Sequence, residues 1–120
     1  MNTFPAAARY FLIVAACFLA GRAFAMDFVE AAPKQTKVLV DNEKVRVIKV
    51  TLKKGDKIPM HSHPDLVVYT VKGGKVKFTN ADGKVIETDS KAGDVAFRPA
   101  VTHSHEHPDG GEAIVIELKK

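Results

Sequence analysis

After residue 25, no stretch of ten residues keeps helical spacing without meeting a glycine or a proline. Long helices are thereby excluded, and short extended segments remain as the building material. Val45-Arg46-Val47-Ile48-Lys49-Val50-Thr51-Leu52 is rich in β-branched residues and reads as a strand. Lys53 to Lys57 contains Gly55-Asp56 and reads as a turn. Leu66 to Val71 is almost continuously apolar, the pattern of a strand buried on both faces. Gly73-Gly74 predicts a tight hairpin into Lys75 to Thr79, and Asn80-Ala81-Asp82-Gly83 a second turn into Lys84 to Thr88. Ala92-Gly93-Asp94 leads into Val95-Ala96-Phe97, and Pro108-Asp109-Gly110-Gly111 into Ala113 to Leu118. Many short strands at regular spacing predict an all-β sandwich or barrel, with Tyr69, Phe78, Val95 and Phe97 expected to line its interior.

The first residues have a different composition. Met1 to Arg9 carries one positive charge and no acid, and Tyr10 to Gly21 is an apolar run of about a dozen residues. That run is too short to span a bilayer but matches a signal-peptide core, and Ala23-Phe24-Ala25 supplies a small-x-small cleavage site. Residues 1–25 are therefore read as a cleaved signal peptide, with an uncleaved anchor and lipoprotein processing at Cys17 as the other readings. Residues 26–36, which include Pro33, are expected to form a flexible arm or an edge segment, and residues 37–120 one β domain.

Cleavage removes Cys17, the only cysteine. Disulfides, thiolate ligands and a cysteine nucleophile are then excluded, so a metal site must use nitrogen and oxygen donors. Export implies a periplasmic or secreted protein with no membrane attachment after cleavage. Arg9 and Arg22 also leave, with no acid, so the formal net charge falls from +4 to +2. Neither a basic block nor an aromatic stacking pattern argues for nucleic acid. Lysines alternating with apolar residues, as in Lys75-Val76-Lys77-Phe78, read instead as the wet face of a sheet.

All five histidines fall in two clusters, His61-Ser62-His63 and His103-Ser104-His105-Glu106-His107. Residues two apart on a strand share a face, about 6.6 Å apart along it. Each cluster can therefore aim imidazoles at one point, and imidazole is the commonest transition-metal ligand. With bonds of about 2.1 Å, His61 and His63 can lean toward one ion, and a third ligand comes from the second cluster. Such a nitrogen set suits zinc, copper, nickel or iron better than magnesium or calcium. Arg98, beside Phe97 and Pro99, either points to solvent or anchors a substrate carboxylate.

The flanking residues carry a resemblance. Gly55-x5-His61-x-His63 followed by Gly74, and Gly93-x5-Pro99 followed by His103, resemble the two motifs of the cupin superfamily, written G-x5-H-x-H-x3,4-E-x6-G and G-x5-P-x-G-x2-H-x3-N. The resemblance spans Val45 to Leu118 and is to small, single-domain exported cupins. It implies a jelly-roll β-barrel holding a divalent iron, manganese, zinc, nickel or copper ion in its mouth, and often a homodimer. Carried over, His61, His63 and His103 are the expected metal ligands, and Gly55, Gly74, Gly93 and Pro99 the turn positions. The chain departs from the pattern where Val67 or Leu66 replaces the glutamate, where Pro99-Ala100-Val101 replaces Pro-x-Gly, and where His107 replaces the final asparagine. Asp65 and His105 are candidates for the missing ligand. The implied function is a metal-dependent dioxygenase- or isomerase-type reaction on a small organic acid or phenol. The alternative is a non-catalytic module that binds a metal and a small ligand.

Overall fold

The structure is a computed structural model that describes residues 25–120. Apart from Ala25, the expected signal peptide lies outside the described residues. Ten strands and one helical turn follow in chain order: β1 (Met26–Asp27), α1 (Phe28–Ala31), β2 (Thr36–Asp41), β3 (Val45–Leu52), β4 (Asp56–His63), β5 (Leu66–Lys72), β6 (Gly74–Asn80), β7 (Val85–Ser90), β8 (Val95–Arg98), β9 (Val101–His107) and β10 (Gly111–Leu118).

They form two five-stranded sheets, ordered β1-β4-β9-β6-β7 and β2-β3-β10-β5-β8. From β3 to β10 the chain passes back and forth between the sheets, staying within one only for the β6–β7 hairpin. This is the two-sheet closure of a jelly roll. The inner faces meet over a core of Phe28, Ala32, Ile48, Val50, Ile58, Leu66 and Val115. Ile48, Val115 and Val68 lie in register across β3, β10 and β5, so one inward row joins three strands.

Two expectations are corrected by this topology. Gly73-Gly74 does not make a hairpin: β5 and β6 belong to different sheets, and the glycines carry the chain across the end of the barrel. The space there demands glycine, since a Cβ on Gly73 would lie 2.2 Å from the Ser90 carbonyl oxygen. Tyr69, Val95 and Phe97 do not line the interior; they are 43%, 66% and 61% exposed. Pairing puts Leu66, Val68, Ala96 and Arg98 on the inner face of β5 and β8, which turns their odd-numbered neighbours outward. An apolar row, Val40-Val47-Ile116-Val67-Phe97, therefore crosses the outer face of all five strands of this sheet. Of the four expected interior residues, Phe78 alone lines the central cavity.

The segment expected as a flexible arm or an edge segment lies against the barrel, with β1 at the edge of its sheet. β1 pairs in parallel with β4, setting Met26 opposite His61. Asp27 caps α1 by accepting a hydrogen bond from the Val29 N–H at 3.1 Å. Phe28 is then 2% exposed, inside the core.

Candidate metal centre

β4 and β9 are antiparallel neighbours, and His61 pairs directly with His103. Between Ile58 and His61 the register shifts, so that three steps on β4 oppose two on β9, from His105 to His103. This bulge at Pro59-Met60 lets both Ile58 and His61 face inward, although they are an odd number of residues apart. Pro59 fits there because it has no N–H to contribute to the ladder. Its carbonyl, freed from ordinary pairing, accepts a hydrogen bond from His61 Nδ1 at 2.7 Å.

His63 is oriented from the opposite sheet. Its Nδ1 donates to Glu117 Oε2 at 2.8 Å. Glu117 stands beside Arg46 in the β3–β10 register, and Arg46 donates to its Oε1 through Nε at 2.7 Å. Arg46 also grips both oxygens of Asp27, at 3.1 and 2.6 Å. Burial raises the Asp27 carboxyl pKa, but the hydrogen bond and charge of Arg46 outweigh it and hold the group below its ordinary value. An Asp27–Arg46–Glu117–His63 chain thus ties the N-terminal segment to one imidazole. Sequence reading missed Glu117, because Ile116-Glu117-Leu118 looks like a wet-edge alternation until the pairing shows which parity faces in.

The anchoring of both Nδ1 atoms has a chemical consequence. A carbonyl or a carboxylate oxygen only accepts, so each Nδ1 carries hydrogen, and Nε2 presents a lone pair when the ring is neutral. These two Nε2 atoms face each other at 3.1 Å. Two nitrogens bound to one ion at about 2.1 Å would be separated by roughly 3.0 Å at right angles and roughly 3.4 Å in a tetrahedron. At that separation the rings share a proton in a hydrogen bond when one of them is protonated, and two neutral rings present the lone pairs that fit a metal ion.

The second cluster closes around the same space. His61, His103 and His105 offer ligand atoms within 4.8 Å of one another. The His61 ring centroid lies 4.8 Å from that of His63, 5.0 Å from His103 and 5.1 Å from His105. Nitrogens on opposite sides of an ion lie about 4.2 Å apart, so gathering them takes movements on the order of half an ångström per ring. His105 Nδ1 is held by His107 Nε2 at 2.6 Å. Of the expected trio, His61 and His103 belong to this group, with His105 as its third member, while His63 lies outside it and meets His61 through Nε2. Asp65 lies elsewhere: its Oδ1 accepts from the Ala100 N–H at 2.8 Å and fastens a loop. At the position of the motif's glutamate, Val67 belongs to the outward row described above.

Burial favours the neutral form of His61, His103, His105 and His107. Desolvation lowers His61 to about 4, against a backbone hydrogen bond to Pro59 that raises it. Desolvation and the neighbouring His61 and His63 lower His103 to about 3. Burial likewise brings His107 to about 4 and pushes His105 far below its ordinary value. Neutral imidazole is the form that binds metals. Phe28 seals the cluster, its ring centroid 4.8 Å from His61 and 4.6 Å from His63. From the other side, Phe78 stacks on His103 at 5.2 Å.

The sequence and the fold are similar to those of known proteins. A family model described as a cupin domain matches residues 48–118. A cupin domain of known structure from Bordetella pertussis is similar with 26% identity and a TM-score of 0.66, over 71% of this chain and 92% of that one. An RmlC-like cupin from Shewanella frigidimarina is 28% identical with a TM-score of 0.53, over 71% of this chain and 75% of that one. An RmlC-like cupin from Methanocaldococcus jannaschii, described as a double-stranded β-helix, shares the fold at 20% identity and a TM-score of 0.57, over 70% and 78% of the two chains. No curated protein matches the chain. The family model covers more than half of the sequence and both histidine clusters, and the chain belongs to the cupin family.

Proposed function

We propose that this protein is an exported cupin that holds a divalent transition metal among His61, His63, His103 and His105, and that the metal presents a small organic acid or phenol for a dioxygenase- or isomerase-type reaction. The observation that carries the metal is the pair of Nε2 atoms facing each other at 3.1 Å, each with its Nδ1 anchored on an acceptor. A bound ion with only neutral ligands keeps its full charge and acts as a Lewis acid toward a ligand oxygen. The chain's own contribution is positional. Pro59 and Glu117 fix two rings, His107 holds His105, and Phe28 excludes water from one side.

The test is elemental analysis of untagged protein after reconstitution with iron, manganese, zinc, nickel and copper in turn. About one equivalent is expected, lost in His61→Ala. Less than about 0.1 equivalent of every metal, unchanged by that substitution, would remove the metal from the proposal. Oxygen uptake with carboxylates and phenols then tests turnover. Export is checked by N-terminal sequencing, with Met26 expected as the first residue and Met1 as the result that defeats cleavage.

One observation favours the second reading, a non-catalytic binding module. Both oxygens of Glu117, the buried carboxylate at the centre, are already engaged by Arg46 and His63. Among the described residues this leaves no free buried carboxylate beside the cluster for proton transfer. Metal-dependent ligand binding without turnover is the outcome that selects it.

A further inference from the structure

Arg46, Glu117, Leu66 and Arg98 lie in register across β3, β10, β5 and β8, all on the inner face. The two arginines differ in what they meet. Arg46 is paired with Asp27 and Glu117. Arg98 has no ion-pair partner among the described residues. Its guanidinium carbon lies 4.8 Å from the centre of the Phe78 ring, the ring that stacks on His103. Arg98 therefore does not simply reach into solvent. Phe78 holds it at the edge of the histidine cluster, close enough for its charge to help lower His103.

Arg98 also lines a cavity of about 270 Å³ that runs between the sheets from the histidines. Val50, Val68, Val76, Phe78 and Ala96 supply apolar wall, while Asp89, Asp94 and Glu112 line it on the side of Gly110 and Gly111. Thr88 Oγ1 is buried on this wall without a partner among the described residues, a polar group that an incoming ligand or water can meet. The unpaired guanidinium and the metal-type donor set thus lie on one side, and on the other Lys72 stands among the carboxylates while Glu112 is paired with Lys49. An anion entering this space is drawn to the unpaired guanidinium.

We infer that the cavity takes a small monocarboxylate with an apolar body, its carboxylate held by Arg98 and its body lying along Val50, Val68 and Val76. Arginine suits this task because its planar fork can donate two parallel hydrogen bonds to a carboxylate. At about 30 Å³ per water-sized volume, the cavity accepts about nine non-hydrogen atoms, the size of benzoate. This inference names a ligand class for the site proposed above and rests on that reading only for the metal.

The experiment compares benzoate with its uncharged analogue benzamide. Binding is followed by amide NMR shifts, in metal-reconstituted and in chelated protein, for the wild type, Arg98→Gln and Arg98→Lys. Benzoate is expected to bind the wild type and to weaken about tenfold or more in Arg98→Gln, with partial recovery in Arg98→Lys. Metal content and far-UV circular dichroism are expected to stay unchanged, and benzamide to bind weakly and equally to all three. Equal benzoate affinity in Arg98→Gln overturns the inference. So does benzamide binding as tight as benzoate, or no benzoate shift at 10 millimolar, about the weakest affinity such a contact leaves. Arg98-dependent binding that persists in a protein unable to hold metal removes the metal reading and leaves the carboxylate site standing.

Discussion

His63 Nδ1 lies 2.8 Å from Glu117 Oε2, and both side chains are buried between the sheets. The contact joins β4 of one sheet to β10 of the other, and Arg46 extends it to the N-terminal segment. Removing the carboxylate leaves a half-buried guanidinium without its inner partner and an imidazole free to turn. Glu117→Ala is therefore expected to destabilise the fold by about 3–5 kcal/mol. Glu117→Gln is expected to weaken metal binding about 10- to 100-fold, because one amide oxygen cannot accept from both Arg46 and His63 and the charge behind the ring is gone. Urea unfolding and competition with a chelator measure the two effects. Unchanged metal affinity in Glu117→Gln would show that His63 does not ligate through Nε2.

Phe28 connects folding to the centre. It is 2% exposed, with its ring against His61 and His63. Phe28→Ala is expected to cost about 3–5 kcal/mol and to speed metal loss to a chelator by opening a path for water. If the stability loss stays under about 0.5 kcal/mol, the range of an ordinary surface change, the segment does not seal the barrel in solution.

The metal-free protein is expected to be acid-sensitive in a defined window. In the unfolded chain the histidines take up protons near 6.5, whereas the folded chain keeps His61 and His107 neutral to about 4 and His103 to about 3. Between these values the unfolded state binds more protons, so stability is complete above 6.5 and falls as the pH drops toward 4 and then 3. Each such group contributes up to about 1.4 kcal/mol per pH unit inside its window. Urea midpoints of chelated protein at pH 7.5, 6 and 5 report the slope. A flat profile would mean that the buried rings are charged or solvated in the folded state.

The two faces of the β5–β8 sheet respond differently to mutation. Phe97→Ser, on the outer row and 61% exposed, is expected to change stability by no more than about 0.5 kcal/mol. Phe78→Ala, between His103 and Arg98, is expected to cost about 3 kcal/mol and to loosen both neighbours. Thermal unfolding of the two variants side by side distinguishes the assigned facing from its reverse.

At the sheet-to-sheet crossing, Gly73→Ala forces a methyl group toward the Ser90 carbonyl oxygen, 2.2 Å from the new Cβ. A loss of about 1–3 kcal/mol is expected in chemical denaturation. Wild-type stability in this variant would indicate a looser crossing that the β5–β6 connection can relax.

The strands were readable in the sequence because alternation and turn residues are local signals. Val45–Leu52 was bounded correctly as β3, and Asn80-Ala81-Asp82-Gly83 was recognised as the β6–β7 turn. Facing was not readable. An apolar run such as Leu66 to Val71 carries no mark of which side meets the core, and pairing with β10 decided it by placing Val68 beside Val115. Gly73-Gly74 misled for a related reason, since two glycines suit a hairpin and a close crossing equally well, and only the neighbouring backbone distinguishes them.

By itself the sequence determined the all-β class, the family pattern and the two-residue spacing that puts each set of histidines on one side of its strand. The tertiary structure alone decided that His61 stands beside His103, because a bulge at Pro59-Met60 sets the register. It alone chose His105 over Asp65 and supplied Glu117 and Phe28 from distant elements. The physical reason is range. Periodicity along one strand fixes the direction of a side chain relative to its own neighbours, while the partner it meets is set by strand pairing and sheet packing across the barrel.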